Sequence, residues 1–173
     1  MTEGRASRYL TNASNLAIVI AAIVIVAATY LPRRVVSNTR TGVPASGDKL
    51  RGISGVSYAD ANVTAVLFLR SGCQYCNDSM GFYRRLAASV HDQRRQRRII
   101  ALTTADDAAS LRSHLDANGV RVDSVRVEQS LRFGVTGTPT LILVNNAGVV
   151  IRSFSGRLNP SDEEEVFRLF RES

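Results

Sequence analysis

The chain has no tryptophan, two histidines and only two cysteines among its 173 residues. Both cysteines lie in one motif, Cys73-Gln-Tyr-Cys76, so neither has a distant partner for a structural disulfide. This excludes a disulfide-stapled secreted scaffold. The spacing of the cysteines and histidines also fits neither a zinc finger nor a zinc ribbon. Any thiol chemistry of this protein therefore takes place between Cys73 and Cys76.

The chain is basic, with 22 lysines and arginines, 15 acidic residues and a net charge of +7. Its arginines are scattered, and no aromatic RNA-binding motif or helix-turn-helix pattern accompanies them. We therefore expect no nucleic-acid partner. Hydrophobic residues make up 45% of the chain and charged residues 21%, a balance typical of a folded globular protein.

An apolar run from Leu16 to Leu31 contains only Thr29 and Tyr30 as polar residues. A membrane-spanning helix needs about 20 mostly apolar residues, with a lower limit of about 17. We predict that residues 1–31 form a basic segment and a transmembrane anchor that contacts the lipid bilayer through residues 16–31. A cleavable signal peptide is the alternative, because small residues around Ala27 offer a cleavage site.

Basic residues lie on both sides of this predicted anchor, and they favour opposite orientations in the membrane. Arg5 and Arg8 precede the apolar run, whereas Arg33, Arg34 and Arg40 follow it. Counted plainly, the excess of arginine after the run places the following chain in the cytoplasm. We favour export, because a short basic N-terminus before a first apolar segment is typical of export signals.

Two further segments follow the predicted anchor. Residues 32–48 are rich in Ser, Thr, Gly, Pro and Arg without apolar periodicity, which predicts a linker. Residues 49–173 carry the periodicity of a folded α/β domain. We predict strands at 63–69, 97–102, 124–127, 140–144 and 149–154, and a weak strand at 53–58. We predict helices from Cys76, over 106–118 and from a capping box at Ser161, in a mixed sheet with helices on both faces.

The dithiol follows a buried strand and opens a helix, an arrangement that favours redox chemistry. Only a thiolate attacks a disulfide, and a helix N-terminus stabilises negative charge. We therefore assign Cys73 as the nucleophile and Cys76, one turn further in, as the resolving thiol. Arg70 adds positive charge nearby as a modulating residue. Metal binding by the CxxC motif is the alternative.

A second motif, Gly137-Thr138-Pro139-Thr140, lies just before a predicted strand. A cis bond before Pro139 would leave backbone groups free to hold an extended substrate chain by β-addition. We name Thr138, Pro139 and the aromatic Tyr75 as candidate substrate-binding residues.

Together these motifs resemble the thioredoxin family over residues 49–173. The resemblance rests on Phe68, the Cys73–Cys76 centre at a helix start, and Thr138-Pro139 before a later strand. It implies an α/β thioredoxin-like fold with a mixed central sheet flanked by helices, dithiol–disulfide exchange, and a cis-proline facing the dithiol. With the N-terminal transmembrane helix, the chain is similar to membrane-anchored bacterial thioredoxin-like proteins, including those that reduce apocytochrome c.

The sequence departs from thioredoxin at three places. Gly72 stands where thioredoxins usually carry tryptophan, and Leu67 stands where cytoplasmic thioredoxins carry a buried acid. The residues between the cysteines are Gln-Tyr instead of Gly-Pro. These differences leave the direction of electron flow open.

The resulting expectation is a thiol–disulfide oxidoreductase, more a reductant than an oxidant. It would be a single-pass protein of the bacterial inner membrane with its domain in the periplasm. Its partners would be cysteine-containing protein substrates and an upstream membrane dithiol donor or acceptor. We expect no metal and no cofactor. The alternative is a non-catalytic thioredoxin-like module that binds partners or carries metal in a membrane complex.

Overall fold

The computed structural model describes residues 42–91 and 97–172. The predicted anchor and residues 32–41 of the predicted linker lie outside the described residues, so both stay predictions. Within the described ranges, no helix is both long and apolar enough to cross a membrane.

Five strands form one mixed sheet with the order β3-β2-β1-β4-β5. They are β1 (Val63–Phe68), β2 (Arg97–Thr103), β3 (Ser124–Val127), β4 (Thr140–Asn145) and β5 (Val150–Ser155). β1, β2 and β3 are parallel, whereas β4 runs antiparallel to β1 and to β5. The predicted mixed sheet is confirmed.

The α-helices of the described chain are α1 (Gln74–Asp78), α2 (Met80–Ala88), α3 (Ala108–Ala117) and α4 (Pro160–Glu172). Shorter 3₁₀ helices span Tyr58–Asp60, Ser89–His91 and Ser130–Phe133. The helix predicted from Cys76 is divided in the structure, because Ser79 ends α1 and begins α2.

The three longer α-helices all pack on one face of the sheet, whereas in the described ranges a 3₁₀ helix lies on the other, so the predicted helices on both faces are α-helices on one face only. Val63, Ala65 and Leu67 of β1 point into the core beneath α2, α3 and α4. The strands β1, β2 and β3 follow one another in a single direction across the sheet. Right-handed crossovers between such strands place both connecting helices on the same face.

The opposite face is covered by irregular chain and a 3₁₀ helix. Leu50, Ile53 and Phe133 pack there against Val66 and Phe68 of β1. The weak strand predicted at 53–58 is absent. Gly55 has a positive φ of 69°, and the Val56 N–H donates to the Ile53 carbonyl at 3.0 Å, so the chain turns here and does not extend. The β-bridge of this region lies earlier, between Lys49 and Val149.

Residues 42–48 of the predicted linker are packed on the domain by hydrogen bonds. The Gly47 N–H donates to the Val150 carbonyl at 2.9 Å, and the Ser153 hydroxyl donates to the Pro44 carbonyl at 2.6 Å. These contacts use backbone groups, so no apolar pattern in the sequence marks them. Residues 42–48 of the predicted linker therefore belong to the folded domain.

Helix α4 begins one residue earlier than its predicted capping box. Pro160 is its first residue, and the Asn159 side chain accepts the Asp162 N–H at 3.0 Å. Asparagine is a strong N-cap, and proline at the first helical position supplies a helical φ without wasting a donor. Asn159, and not Ser161, caps this helix.

We predict that Gly134→Ala destabilises the domain more than Gly156→Ala. Both glycines have a positive φ, of 72° and 79°. Alanine at Gly156 meets nothing within 4 Å, so it costs only the left-handed backbone, about 1–2 kcal/mol. The added Cβ at Gly134 would also lie 2.6 Å from the Gly42 carbonyl oxygen. The free energies of unfolding from denaturant titration compare the two variants, and equal losses would contradict the packing of Gly42 on Gly134.

Candidate active site

Cys73 is the N-cap residue of α1, with φ −87° and ψ 115°. Its sulfur accepts the Cys76 N–H at 3.2 Å, the bond that a Ser, Thr, Asp or Asn side chain ordinarily makes at an N-cap. Its carbonyl accepts the Asn77 N–H at 3.0 Å. Because α1 is only one turn long, this direct bond stabilises a thiolate more than a macrodipole can.

The two thiols differ in burial, although both are free cysteines. The Cys73 side chain is half-buried, whereas Cys76 has no exposed surface. Cys76 lies in the main core cluster with Met80 and Tyr83. The structure therefore leaves Cys73 as the thiol that a substrate can reach.

The loop before β4 lies against Cys73. The Cys73 sulfur is 3.4 Å from the Thr138 carbonyl oxygen, and the bond between Thr138 and Pro139 is cis. The Pro139 carbonyl accepts the Gly156 N–H at 2.7 Å, and the Thr140 hydroxyl donates to the Gly137 carbonyl at 2.8 Å. The two sequence motifs, 65 residues apart, therefore meet at one place.

The pKa of Cys73 lies below its usual value. Burial alone would raise this pKa, but hydrogen bonds from Cys76, Thr138 and Tyr75 outweigh it. The Thr138 side chain favours the thiolate, whereas its carbonyl can only accept from the protonated thiol. The net balance favours the thiolate, the nucleophilic form.

Cys76 is perturbed in the opposite direction. Burial, followed by the hydrogen bond and charge of Cys73, raises the pKa of Cys76 to about 12. Burial also raises the pKa of the neighbouring Tyr83 hydroxyl, and the charge of Cys76 adds to this effect. The inner thiol therefore stays protonated at neutral pH, whereas the pKa of the outer thiol is shifted toward the ionised form.

The other candidate residues occupy distinct positions. The Tyr75 side chain is 61% exposed between the cysteines, so it is accessible to a partner. The Arg70 side chain is exposed as well, and its positive charge lowers the pKa of Asp107. The pKa of Cys73 is raised by burial and lowered by hydrogen bonds, and Arg70 is not among the main groups that lower it. Its backbone instead acts on Cys76, where it opposes the rise in pKa that burial causes.

Asp107 is a residue that the sequence reading missed. Its carboxylate accepts the Ser71 N–H at 3.0 Å, the Ser71 hydroxyl, and the Thr103 hydroxyl at 2.9 Å. Burial raises the pKa of Asp107, but the bonds from Ser71 and Thr103 hold it below its usual range. The sequence does contain a signal for this location. Asp107 follows strand β2 and the dithiol follows strand β1, and the carboxyl ends of parallel strands meet at one edge of the sheet.

Metal ligands do not gather in the described ranges. There, no group of three or more histidine, cysteine, aspartate or glutamate residues is placed to hold a metal ion. A metal on the dithiol would need further ligands from outside these ranges.

Comparison with solved structures identifies the fold. The thioredoxin domain of a thiol-disulfide oxidoreductase from Bacteroides vulgatus is 14% identical, with a TM-score of 0.58 over 74% of this chain and 99% of that one. A thiol-disulfide isomerase from Corynebacterium glutamicum is 14% identical, with a TM-score of 0.56 over 76% and 97%. A thiol:disulfide interchange protein from Bacteroides sp. is 14% identical, with a TM-score of 0.56 over 76% and 92%.

The chain therefore has the thioredoxin-like fold, as the sequence resemblance predicts. No protein-family model and no curated protein matches the sequence. At 14% identity the likeness concerns the fold, and the chemistry has to be argued from the site itself.

We predict that the two thiols titrate far apart. In Cys76→Ala, the alkylation rate of Cys73 should reach half its plateau below the pH at which an ordinary cysteine does, because the hydrogen bonds from Thr138 and from the backbone of residues 75 and 76 remain when the Cys76 thiol is lost. In Cys73→Ala, Cys76 should react only well above that pH, because burial persists. Iodoacetamide labelling followed by mass spectrometry measures both rates, and faster labelling of Cys76 would reverse the assignment.

Proposed function

We propose that this protein is a thiol–disulfide oxidoreductase in which Cys73 attacks and Cys76 resolves. The observation that carries the proposal is the opposite perturbation of the two thiols: the pKa of half-buried Cys73 is lowered and that of buried Cys76 is raised. A structural pair would need no such asymmetry, whereas exchange needs one accessible thiolate and one protected thiol. The solved structures with this fold include thiol-disulfide oxidoreductases, which supports the same reading.

The reaction is a two-step exchange. The Cys73 thiolate attacks one sulfur of a substrate disulfide, which forms a mixed disulfide and releases the other substrate sulfur as a thiolate that takes up a proton. Cys76 then loses its proton and attacks the Cys73 sulfur, which releases the second substrate thiol. Two electrons and two protons pass to the substrate, and the Cys73–Cys76 disulfide is left behind.

The substrate segment would bind along Thr138 and Pro139. This loop lies 3.4 Å from the attacking sulfur, so a backbone held there brings its cysteine to Cys73. The exposed ring of Tyr75 offers an apolar contact beside it. We propose cysteine-containing proteins as substrates, with an extended chain as the recognised form.

The interactions of the Cys73 thiolate favour a protein that reduces its substrates over one that oxidises them. A strong oxidant owes its potential to strong stabilisation of its thiolate, as in a cysteine with a pKa of about 3.5. Here the thiolate is stabilised by hydrogen bonds and opposed by burial, and no cationic side chain is among the leading contributions. The buried Cys76 gains nothing from ionising, so the reduced form is not strongly favoured.

We further propose that the domain works outside the cytoplasm of a bacterium, attached to the inner membrane through residues 16–31. The support is the apolar run and the basic N-terminus before it. A reductant in an oxidising compartment must be reduced again after each turnover. Its upstream partner would then be a membrane dithiol donor.

We predict that Cys73→Ala reduces insulin disulfides no faster than the uncatalysed background. Cys76→Ala should instead accumulate a mixed disulfide with its substrate, because nothing displaces the substrate from Cys73. Non-reducing electrophoresis and mass spectrometry detect this adduct. The double variant is the matched control and should capture nothing. Activity retained by Cys73→Ala would refute the mechanism, whereas an unmodified protein that does not reduce insulin would favour a non-catalytic binding module.

We predict a reduction potential closer to that of thioredoxin, about −270 mV, than to that of DsbA, about −120 mV. The physical reason is that burial opposes the hydrogen bonds that stabilise the Cys73 thiolate, with no cationic side chain among the main contributions. Equilibration with glutathione or a reference thioredoxin, followed by quantification of the oxidised fraction, gives the value. A potential near −120 mV would show that the protein oxidises its substrates.

A further inference from the structure

Asp107 occupies a helix N-cap but does not act as one. It precedes α3, yet its side chain makes no capping bond to that helix. Aspartate at this position ordinarily accepts an N–H of its own first turn. Here the carboxylate is 9% exposed and turns to another part of the chain, the loop before the dithiol.

The carboxylate anchors Ser71 through two bonds. One oxygen accepts the Ser71 N–H at 3.0 Å and the other accepts the Ser71 hydroxyl. The Thr103 hydroxyl, at 2.9 Å, fixes the carboxylate from the end of β2. Among the loop residues 70–72, the Arg70 side chain is exposed and Gly72 has no side chain. The Ser71 side chain is therefore the one that attaches this loop to the domain.

The anchored loop supplies groups to both cysteines. The Cys73 N–H donates to the Arg70 carbonyl at 3.2 Å, which closes the turn that sets the N-cap geometry of Cys73. Burial raises the pKa of Cys76, and the Arg70 backbone opposes this shift. Movement of Ser71 would therefore shift both thiols relative to the donors that stabilise their ionised forms.

We propose that Asp107 is a positioning residue for the dithiol, which holds the 70–73 turn so that the Cys73 sulfur stays on the Cys76 N–H. The proposal rests on the proposed exchange function. Asp107 acts through Ser71 and touches neither the substrate nor the reacting sulfurs.

The direction in which Cys73 reactivity changes when Asp107 is replaced distinguishes a positioning role from a purely electrostatic one. A nearby carboxylate repels a thiolate, so removal of its charge alone would make Cys73 more reactive. Removal of the anchor loosens the hydrogen bond to the sulfur, which makes Cys73 less reactive. Arg70 and Asp106 are the charged neighbours whose charges act together with that of Asp107, and they remain unchanged in every variant below.

The test compares Asp107→Ala and Asp107→Asn in the Cys76→Ala background. We expect the alkylation rate of Cys73 at neutral pH to fall about two- to tenfold in Asp107→Ala, the range for loss of one ordinary hydrogen bond. Asparagine has the same shape and retains one acceptor, so Asp107→Asn should recover part of the rate. Ser71→Ala, which removes one of the bonds, should change the rate in the same direction and carries the test if Asp107→Ala does not fold.

The matched control is Glu128→Ala. Glu128 is also a buried carboxylate, 7% exposed, that accepts a backbone N–H, from Ser54 at 2.9 Å. Its loss should lower the thermal midpoint without changing the alkylation profile of Cys73 against pH. A Cys73 rate that is unchanged or raised in Asp107→Ala, or that falls equally in Glu128→Ala, would overturn the proposal. Failure of the unmodified protein to exchange disulfides would instead refute the proposed function, independently of the alkylation rates.

Discussion

The pairing of β1 with its two neighbours fixes the site. Phe68, at the end of β1, lies opposite Thr140 at the start of antiparallel β4 and beside Leu102 near the end of parallel β2. Three connections therefore leave the sheet at one edge: the loop to Cys73, the loop that arrives through Pro139, and the turn that carries Asp107. A register shift of one residue in β1 would turn its side chains to the opposite faces and separate these groups.

One turn of helix gives the two cysteines opposite properties. Cys73 precedes α1, where its sulfur accepts the Cys76 N–H, and Cys76 lies inside the turn, where the core surrounds it. The same short segment thus lowers one pKa and raises the other. The asymmetry follows from the spacing of the motif, because residues three apart lie one above the other on a helix while differing in depth.

The sequence predicts the individual strands, helices and turns. It does not predict the features that depend on the order in which the strands pair. The strand before Cys73, the helix after it and the hairpin around Gly148 all follow from periodicity and turn residues. The placement of α-helices on a single face depends on the strand order, which no local pattern encodes. The attachment of residues 42–48 uses backbone hydrogen bonds, and Asp107 reaches Ser71 across 36 residues. Neither contact has a local signature in the sequence, although the position of Asp107 after a parallel strand places it at the same edge of the sheet as the dithiol.

The apolar Leu67 changes how the second thiol can lose its proton. It is fully buried beneath the helices, so no carboxylate at that position accepts a proton from Cys76. Part of the raised pKa of Cys76, however, comes from the charge of Cys73 and the hydrogen bond with it. Both disappear once the Cys73 sulfur is bonded to a substrate, because a mixed disulfide carries no charge. In the proposed exchange, the first step would therefore make the second thiol more acidic, and the departing substrate thiolate would itself be a base for the proton. Exchange through this pair needs no buried acid of its own.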